Sequence, residues 1–366
     1  MHDRPDAPDD LSALSLSLIP GFAREYLDDL RRSFGTLGEA RRADQGALSR
    51  AGIPEGLLSP IVQGAGFREA EAALNNCERL GVRILLPHHP DWPQVVEAVD
   101  PRPMALYLRG QLPTDAVAIV GARRCDLYGL QLARRLGREL SGAGFCVVSG
   151  GALGVDGAAH QGALEANRAR STLAVLGCGI DVVYPPRHRD LLGRIARDGA
   201  LLSEFPLGTR PFKSNFPQRN RLIAALSSAV VVVRAAHRSG SLVTARWARR
   251  LDLPLLACPG PVGDTLSEGT HDLLRSGARI CATAGDVLLS LGRATVPNSP
   301  PSTAAEGADL DQRAARLLGL LSKSPAGLDE LGLEAGIGSA QAAAWMTRLE
   351  LMGFAERRDG GFVRAS

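Results

Sequence analysis

The segment Arg210-Pro211-Phe212-Lys213-Ser214-Asn215-Phe216-Pro217-Gln218-Arg219-Asn220-Arg221 interleaves cations with aromatic rings and amide donors. That mixture suits single-stranded nucleic acid, whose phosphates need positive charge and whose unstacked bases need flat apolar faces. Pro217 and the LIAAL run behind it predict a helix starting here, with Arg219 and Arg221 in its first turns. An unneutralised arginine pair at that end opposes the helix dipole, and an anion would relieve the conflict. Phe212 and Phe216 have a second reading, as apolar anchors of the loop.

Four other short stretches share a chemistry. They are Gly121-Ala122-Arg123-Arg124, then Ser149-Gly150-Gly151-Ala152-Leu153-Gly154, then Gly177-Cys178-Gly179 with Tyr184-Pro185-Pro186 behind it, and Arg238-Ser239-Gly240-Ser241 with Thr244. Each combines small residues that expose backbone N–H groups with a hydroxyl or an arginine. Glycine lets a chain approach a phosphate closely, and a following helix turns its positive end toward it. Taken singly, such glycines also serve tight strand-to-helix turns. Four loops on one sheet edge point to an extended or multiply charged anion.

Those loops follow apolar runs: AVAIVG (116–121), FCVVSGG (145–151), STLAVLGCG (171–179), LLSEF (201–205), AVVVV (229–233) and PLLACPG (254–260). Stretches of helical spacing separate them, LYGLQLARRLGRELSGAG and GSLVTARWARRLD among them. Continuous apolar strands alternating with helices predict a doubly wound α/β domain, a parallel sheet covered on both faces. Open sheets of this kind bind ligands at the carboxyl ends of their strands, where these loops lie.

Several chemistries are disfavoured. GARRCDLYG departs from the dinucleotide fingerprint G-x-G-x-x-G, and no Walker A motif occurs. The six cysteines are scattered without a C-x-x-C pair, so neither a zinc site nor a cofactor is expected, and a reducing compartment is. No apolar run reaches the roughly eighteen residues of a membrane span. The start MHDRPDAPDD lacks a secretory pattern, so the expectation is a cytoplasmic protein without membrane insertion.

Net charge is +3, but unevenly spread. Residues 1–99 carry 10 Lys/Arg against 15 Asp/Glu, whereas residues 100–294 carry 25 against 15. A polyanionic partner for the middle segment follows. Forty of the 42 basic residues are Arg; compositional bias explains the choice of Arg, not its concentration in one segment.

Four regions are expected. Residues 1–82 form a helical bundle with turns, IPGF and AGIPEG, similar to helix-hairpin-helix or SAM-like modules. Phe22-Ala23 replaces a hairpin glycine there and the segment is acidic, which favours a packing role over DNA contact. Residues 83–294 form the Rossmann-like core, and 295–310, rich in Pro, Ser and Ala, a flexible linker. Residues 311–366 read as three helices and a hairpin, a winged helix whose recognition-helix candidate, Ser339 to Met352, offers only Arg348 as a cation.

In order, IVGARRCDLYG, VVSGGALGVDGAAHQGAL, LAVLGCGIDVVYP, LLSEFPLGTRPFKSNFPQRNRLIAAL, SGSLVTAR, LACPG and EGTHDLLRSGA resemble the motif series of the DprA/Smf (DNA-processing protein A) family. The resemblance spans about residues 85–290. It implies a non-enzymatic, single-stranded-DNA-binding protein that protects incoming DNA and loads RecA recombinase during natural transformation, dimerising through its core. It places Arg123 at a phosphate and Ser149, Gly150 and Asp156 in one motif. Arg219, Asn220 and Arg221 stand in the RNR signature, and Ser239, Gly240 and Thr244 in another. The expected contact set is Gly121, Arg123, Arg124, Ser149, Gly150, Gly151, Lys213, Arg219, Asn220, Arg221, Arg238, Ser239, Gly240, Ser241 and Thr244. Departures are Gly151 for a leucine, Ala225 for a glycine, His188 for an asparagine, and Arg234 where a glutamate commonly stands; Arg234 is expected to add positive charge beside the pocket. The rival is a Rossmann-like nucleotide phosphoribohydrolase, whose required glutamate has no counterpart in RSGSLVTARWA. A winged-helix regulator reading duplex DNA is a third possibility, disfavoured by that domain's neutral charge.

Overall fold

The computed structural model describes residues 7–293, 317, 319–321, 326–351, 355–358 and 361–364. The chain folds as two units, residues 1–294 and 295–366. The expected linker, 295–310, lies outside the described residues.

The first unit begins with six helices: α1 (Ala7–Ser17), α2 (Arg24–Phe34), α3 (Leu37–Ala40), α4 (Gln45–Arg50), α5 (Glu55–Val62) and α6 (Phe67–Leu80). Thr36 and Asp44 start α3 and α4 by accepting a backbone N–H three residues on. Helix α6 completes the helical bundle expected over 1–82 and buries Ala70, Ala73 and Cys77 along one stripe. Phe22, in the first hairpin-like turn, is buried in the same apolar cluster as Leu27, Leu30 and Ile61. That cluster continues into Tyr107, Ala174, Leu176 and Leu201 of the sheet, so helices and sheet share one core.

The sheet has nine strands: β1 (Arg83–Leu85), β2 (Leu106–Arg109), β3 (Ala116–Val120), β4 (Cys146–Ser149), β5 (Thr172–Leu176), β6 (Ala200–Ser203), β7 (Ala229–Val232), β8 (Leu255–Ala257) and β9 (Arg279–Ile280). Their order is β1-β2-β6-β5-β4-β3-β7-β8-β9. From β6 to β9 every neighbour is parallel, as the alternating pattern predicted; β1 and β2 add an antiparallel edge. Side chains alternate between faces as a strand requires: Val117 and Ile119 pack on one side, Ala116, Ala118 and Val120 on the other. Helices α7 (Leu127–Gly142), α8 (Val155–Glu165), α9 (Arg189–Asp198) and α13 (Ala284–Ser290) share clusters with one face. Helices α10 (Asn215–Ala225), α11 (Ser241–Arg250) and α12 (Glu268–Arg275) share a cluster with the other. The chain runs outward from β3 to β6, then returns to place β7 on β3's other side. The crevice between β3 and β7 is the topological switch point.

In the second unit, α14 (Leu328–Ala335) and α15 (Ser339–Leu351) accompany a hairpin of β10 (Ala355–Arg358) and β11 (Gly361–Arg364). Leu331, Met346, Ala355 and Phe362 form its own small core. Two helices and a wing of this kind fit the winged-helix expectation; most of the earlier helical pattern and the Arg348 side chain lie outside the described residues.

Candidate functional site

At the carboxyl edge of the sheet, three loops meet around one aromatic ring. Arg123, from the turn after β3, places its guanidinium 4.7 Å from the centroid of Phe216. Phe216, in the first turn of α10, stacks on Tyr184 from the loop after β5, with centroids 5.5 Å apart and planes 30° from parallel. A side chain on Gly177 would strike the Phe216 ring, its Cβ falling 2.8 Å away, so this small residue makes room for the stack. Arg124, Arg210, Lys213 and Arg238 are also exposed along these loops, and Phe212 is 59% exposed. Among the described residues none of these cations, nor Arg123, is in an ion pair. Unpaired positive charge beside one exposed ring and two half-buried ones can hold a strand's backbone and stack its bases.

Beneath this layer lies a second set of arginines with another occupation. Arg221 is buried; its Nη1 and Nη2 each donate to Glu204 at 2.6 Å, and Nε donates to the Pro101 carbonyl at 2.7 Å. The expected phosphate contact by Arg221 is therefore corrected: its donors are spent on a forked carboxylate pair inside the protein. Arg219 is 3% exposed and donates to the carbonyls of Gly150, at 2.7 Å, and Val175. Burial lowers its pKa to about 10, against the supporting field of Asp156. Both arginines at the start of α10 thus spend donors inside the fold. Arg234 is corrected likewise. Its guanidinium is buried and donates to Asp126, Asp264 and Ser267, tying the N-cap of α7 to the loop after β8 instead of charging the crevice.

The loop after β4, expected to cradle a phosphate, already holds an internal carboxylate. Gly150 and Ala152 donate their N–H groups to Asp156 Oδ2 at 3.2 and 3.4 Å, and the Ser149 hydroxyl donates to the Ile119 carbonyl at 2.6 Å. Burial raises the pKa of Asp156, while the Arg219 charge and these hydrogen bonds oppose the rise. Glycine is required at 150, because a Cβ there would lie 2.4 Å from the Arg219 guanidinium. It is required again at 154, where φ is +82° and a Cβ would fall 2.2 Å from the Ala122 carbonyl oxygen. The phosphate expectation for Ser149, Gly150 and Gly151 thus gives way to a packing role, with the Gly151 carbonyl accepting from His188 Nδ1 at 3.0 Å. Gly121 likewise lies against Val155, too close for a side chain.

After β7, Asn220 Nδ2 donates to the Gly240 carbonyl at 3.1 Å, and the Ser239 and Ser241 hydroxyls share a hydrogen bond of 2.8 Å. Thr244 and Ser241 are buried, Gly240 and Arg238 exposed. The structure thus leaves Arg123, Arg124, Lys213, Arg238 and Gly240 open to a ligand and assigns Arg219, Arg221 and Asn220 to support. The stack of Tyr184 on Phe216 was missed, although an aromatic directly behind a glycine-rich turn is a visible signal. The pairing of Glu204 with Arg221 had none.

Residues 83–292 match the family model described as DNA recombination-mediator protein A, and residues 300–361 match the DprA winged helix domain. The chain is 37% identical over 314 residues to a putative DNA processing protein DprA of Mycobacterium tuberculosis, covering 80% of each. Among solved structures, DNA processing protein A from Streptococcus pneumoniae is similar with a TM-score of 0.64 and 29% identity, over 76% of this chain and 95% of that one. DNA processing protein A from Helicobacter pylori, described for its single-stranded DNA binding mode, is similar with a TM-score of 0.52 and 33% identity, over 57% and 95%.

Proposed function

This chain belongs to the DNA recombination-mediator protein A (DprA) family, and from that premise we propose that its crevice binds single-stranded DNA without acting on it chemically. The observation that carries the proposal is the stack of Arg123, Phe216 and Tyr184, assembled from three loops and ringed by unpaired cations. A strand threaded there sets phosphates against Arg123, Arg124, Lys213 and Arg238 and bases against Phe212 and Phe216. Affinity comes from backbone and ring faces, so binding tolerates any sequence. The similar protein from Helicobacter pylori, described as binding single-stranded DNA, supports the same ligand.

A hydrolytic role is the weaker reading. Five edge carboxylates hold structural partners: Asp126 and Asp264 clamp Arg234, Asp156 accepts two amides, Asp181 accepts the Gly208 N–H, and Glu204 pairs with Arg221. None of these five stands free to exchange a proton with a substrate, as glycosidic cleavage demands. Protection of incoming DNA, its transfer to RecA and pairing of two copies through the core extend this proposal along the family resemblance. Exposed Ile280 on edge strand β9 and exposed Leu289 on α13 offer apolar surface for such pairing.

The test is fluorescence anisotropy of the full chain with a labelled dT oligomer and a duplex of equal length, at two salt concentrations. The single strand should bind more tightly, losing about 0.7 log units of affinity per decade of salt for each phosphate neutralised. Equal affinity for the duplex, or indifference to salt, refutes the assignment.

A further inference from the structure

At the opposite end of the sheet, where β5 and β6 begin, a second concave site is lined by Gly110, Gln111, the 167–170 loop, Arg194 and Arg197. Its volume is about 550 Å³, and four arginines, Arg168, Arg170, Arg194 and Arg197, face one carboxylate, Asp198. All four arginines are exposed, and among the described residues none is in an ion pair. From this convergence we propose that the pocket binds a linear phosphate chain of two or more groups, separately from the crevice.

The pocket is built, not a chance scatter of surface charge. Arg168 Nη1 donates to the Ser141 carbonyl at 2.6 Å, and the Arg170 N–H donates to the Asp198 carbonyl at 3.1 Å, fastening the loop to both α7 and α9. Arg170 takes φ +59° and Asn167 φ +50°, left-handed conformations that glycine would adopt more easily. Asparagine tolerates that region; an arginine there has no backbone reason to be present. The helix dipole accounts for Arg197, in the last turn of α9, but not for Arg168 and Arg170, which lie in the loop. Guanidinium forks match phosphate oxygens in pairs, and four of them suit several linked phosphates better than one. The volume falls in the range of small-molecule pockets, about 300–1,000 Å³. No aromatic residue lines it, so it has no platform for a base and reads phosphate alone. A strand of four or five residues spans roughly 15 Å, which separates this pocket from the crevice and keeps their residues distinct.

Isothermal titration of the full chain with tripolyphosphate tests the proposal, using two variants: Arg194→Gln with Arg197→Gln in the pocket, and Arg123→Gln with Lys213→Gln in the crevice. Pocket substitution should weaken the tightest binding event at least tenfold, and crevice substitution should leave that event within twofold while removing only weaker binding. Competition in the crevice variant distinguishes sources of the same chemistry. Displacement by ATP identifies a free nucleotide's phosphates, and displacement by long-chain inorganic polyphosphate alone identifies an inorganic chain. Unaltered titration by the pocket variant, with or without a lowered melting temperature, overturns the proposal, since the arginines then serve only the end of α9. Loss through the crevice variant alone overturns it too. Should the pocket pair fail to fold, Arg170→Gln on the exposed loop provides the same reading, with several-fold weakening expected and no change counting against it.

Discussion

Two sets of cations meet at the carboxyl edge of this sheet, and they do opposite things. Among the described residues Arg123, Arg124, Lys213 and Arg238 face solvent without counter-ions, whereas Arg219, Arg221 and Arg234 are buried and donate to carbonyls, carboxylates or an amide oxygen inside the fold. A buried cation needs its partner inside the fold, because removing either member strands the other in a poorly solvating interior. An exposed cation needs none, and stays available to whatever anion arrives. The comparison teaches that the RNR run supports the binding surface from beneath instead of forming it.

The largest test of this division is Arg221→Ala. It leaves Glu204, whose side chain is 6% exposed, without its forked partner, and should lower stability by about 3–5 kcal/mol in denaturant unfolding. A loss under about 1 kcal/mol would move Arg221 back among the surface cations.

Arg123→Ala should do the reverse. Melting should stay within about 0.5 kcal/mol of the parent, since nothing inside the fold depends on this ion. Loss of a charge-assisted contact, about 1.5–3 kcal/mol, should weaken binding of a labelled dT oligomer more than tenfold. A destabilised variant with intact affinity would erase the distinction between the layers. Replacing Arg219 as well is not the neutral change its sequence position suggests, because two buried carbonyls lose their donor.

A smaller effect probes how dry the lower layer is. His160 is fully buried; its Nδ1 donates to the Thr172 hydroxyl at 2.7 Å, while Nε2 has no partner among the described residues. Burial lowers its pKa to about 3 from 6.5, with the charges of His188 and Arg219 adding to the effect. Between those values the unfolded chain takes up a proton that the folded chain refuses, so stability falls as pH drops. The slope reaches up to about 1.4 kcal/mol per pH unit and vanishes above pH 6.5, where both states are neutral. Denaturant titrations of the parent and of His160→Asn at pH 6.5 and 5 should differ by that slope. Parallel pH profiles would mean that water reaches the ring.

Much of the fold was legible because its signals are local. Val117, Ile119, Val147 and Val231 belong to short apolar runs bounded by glycine, and such runs between helical stretches admit little besides a covered parallel sheet. The same locality hid how the edge strands β1 and β2, three and four residues long within a proline-rich segment, pair antiparallel with the rest of the sheet. It hid also the continuity of core between the first helices and β5, since apolar periodicity says that a face is buried but not against what.

Of the site, the sequence by itself determined which loops crowd the carboxyl edge and that this half of the chain carries the positive charge. The tertiary structure alone decided which arginines meet solvent. Arg221 finds Glu204 across 17 residues and Pro101 across 120, and Arg234 finds Asp126 across 108. A charged side chain carries no periodic signature of burial. Whether it lies inside depends on a counter-ion delivered by a distant segment, and only the folded chain brings the two together.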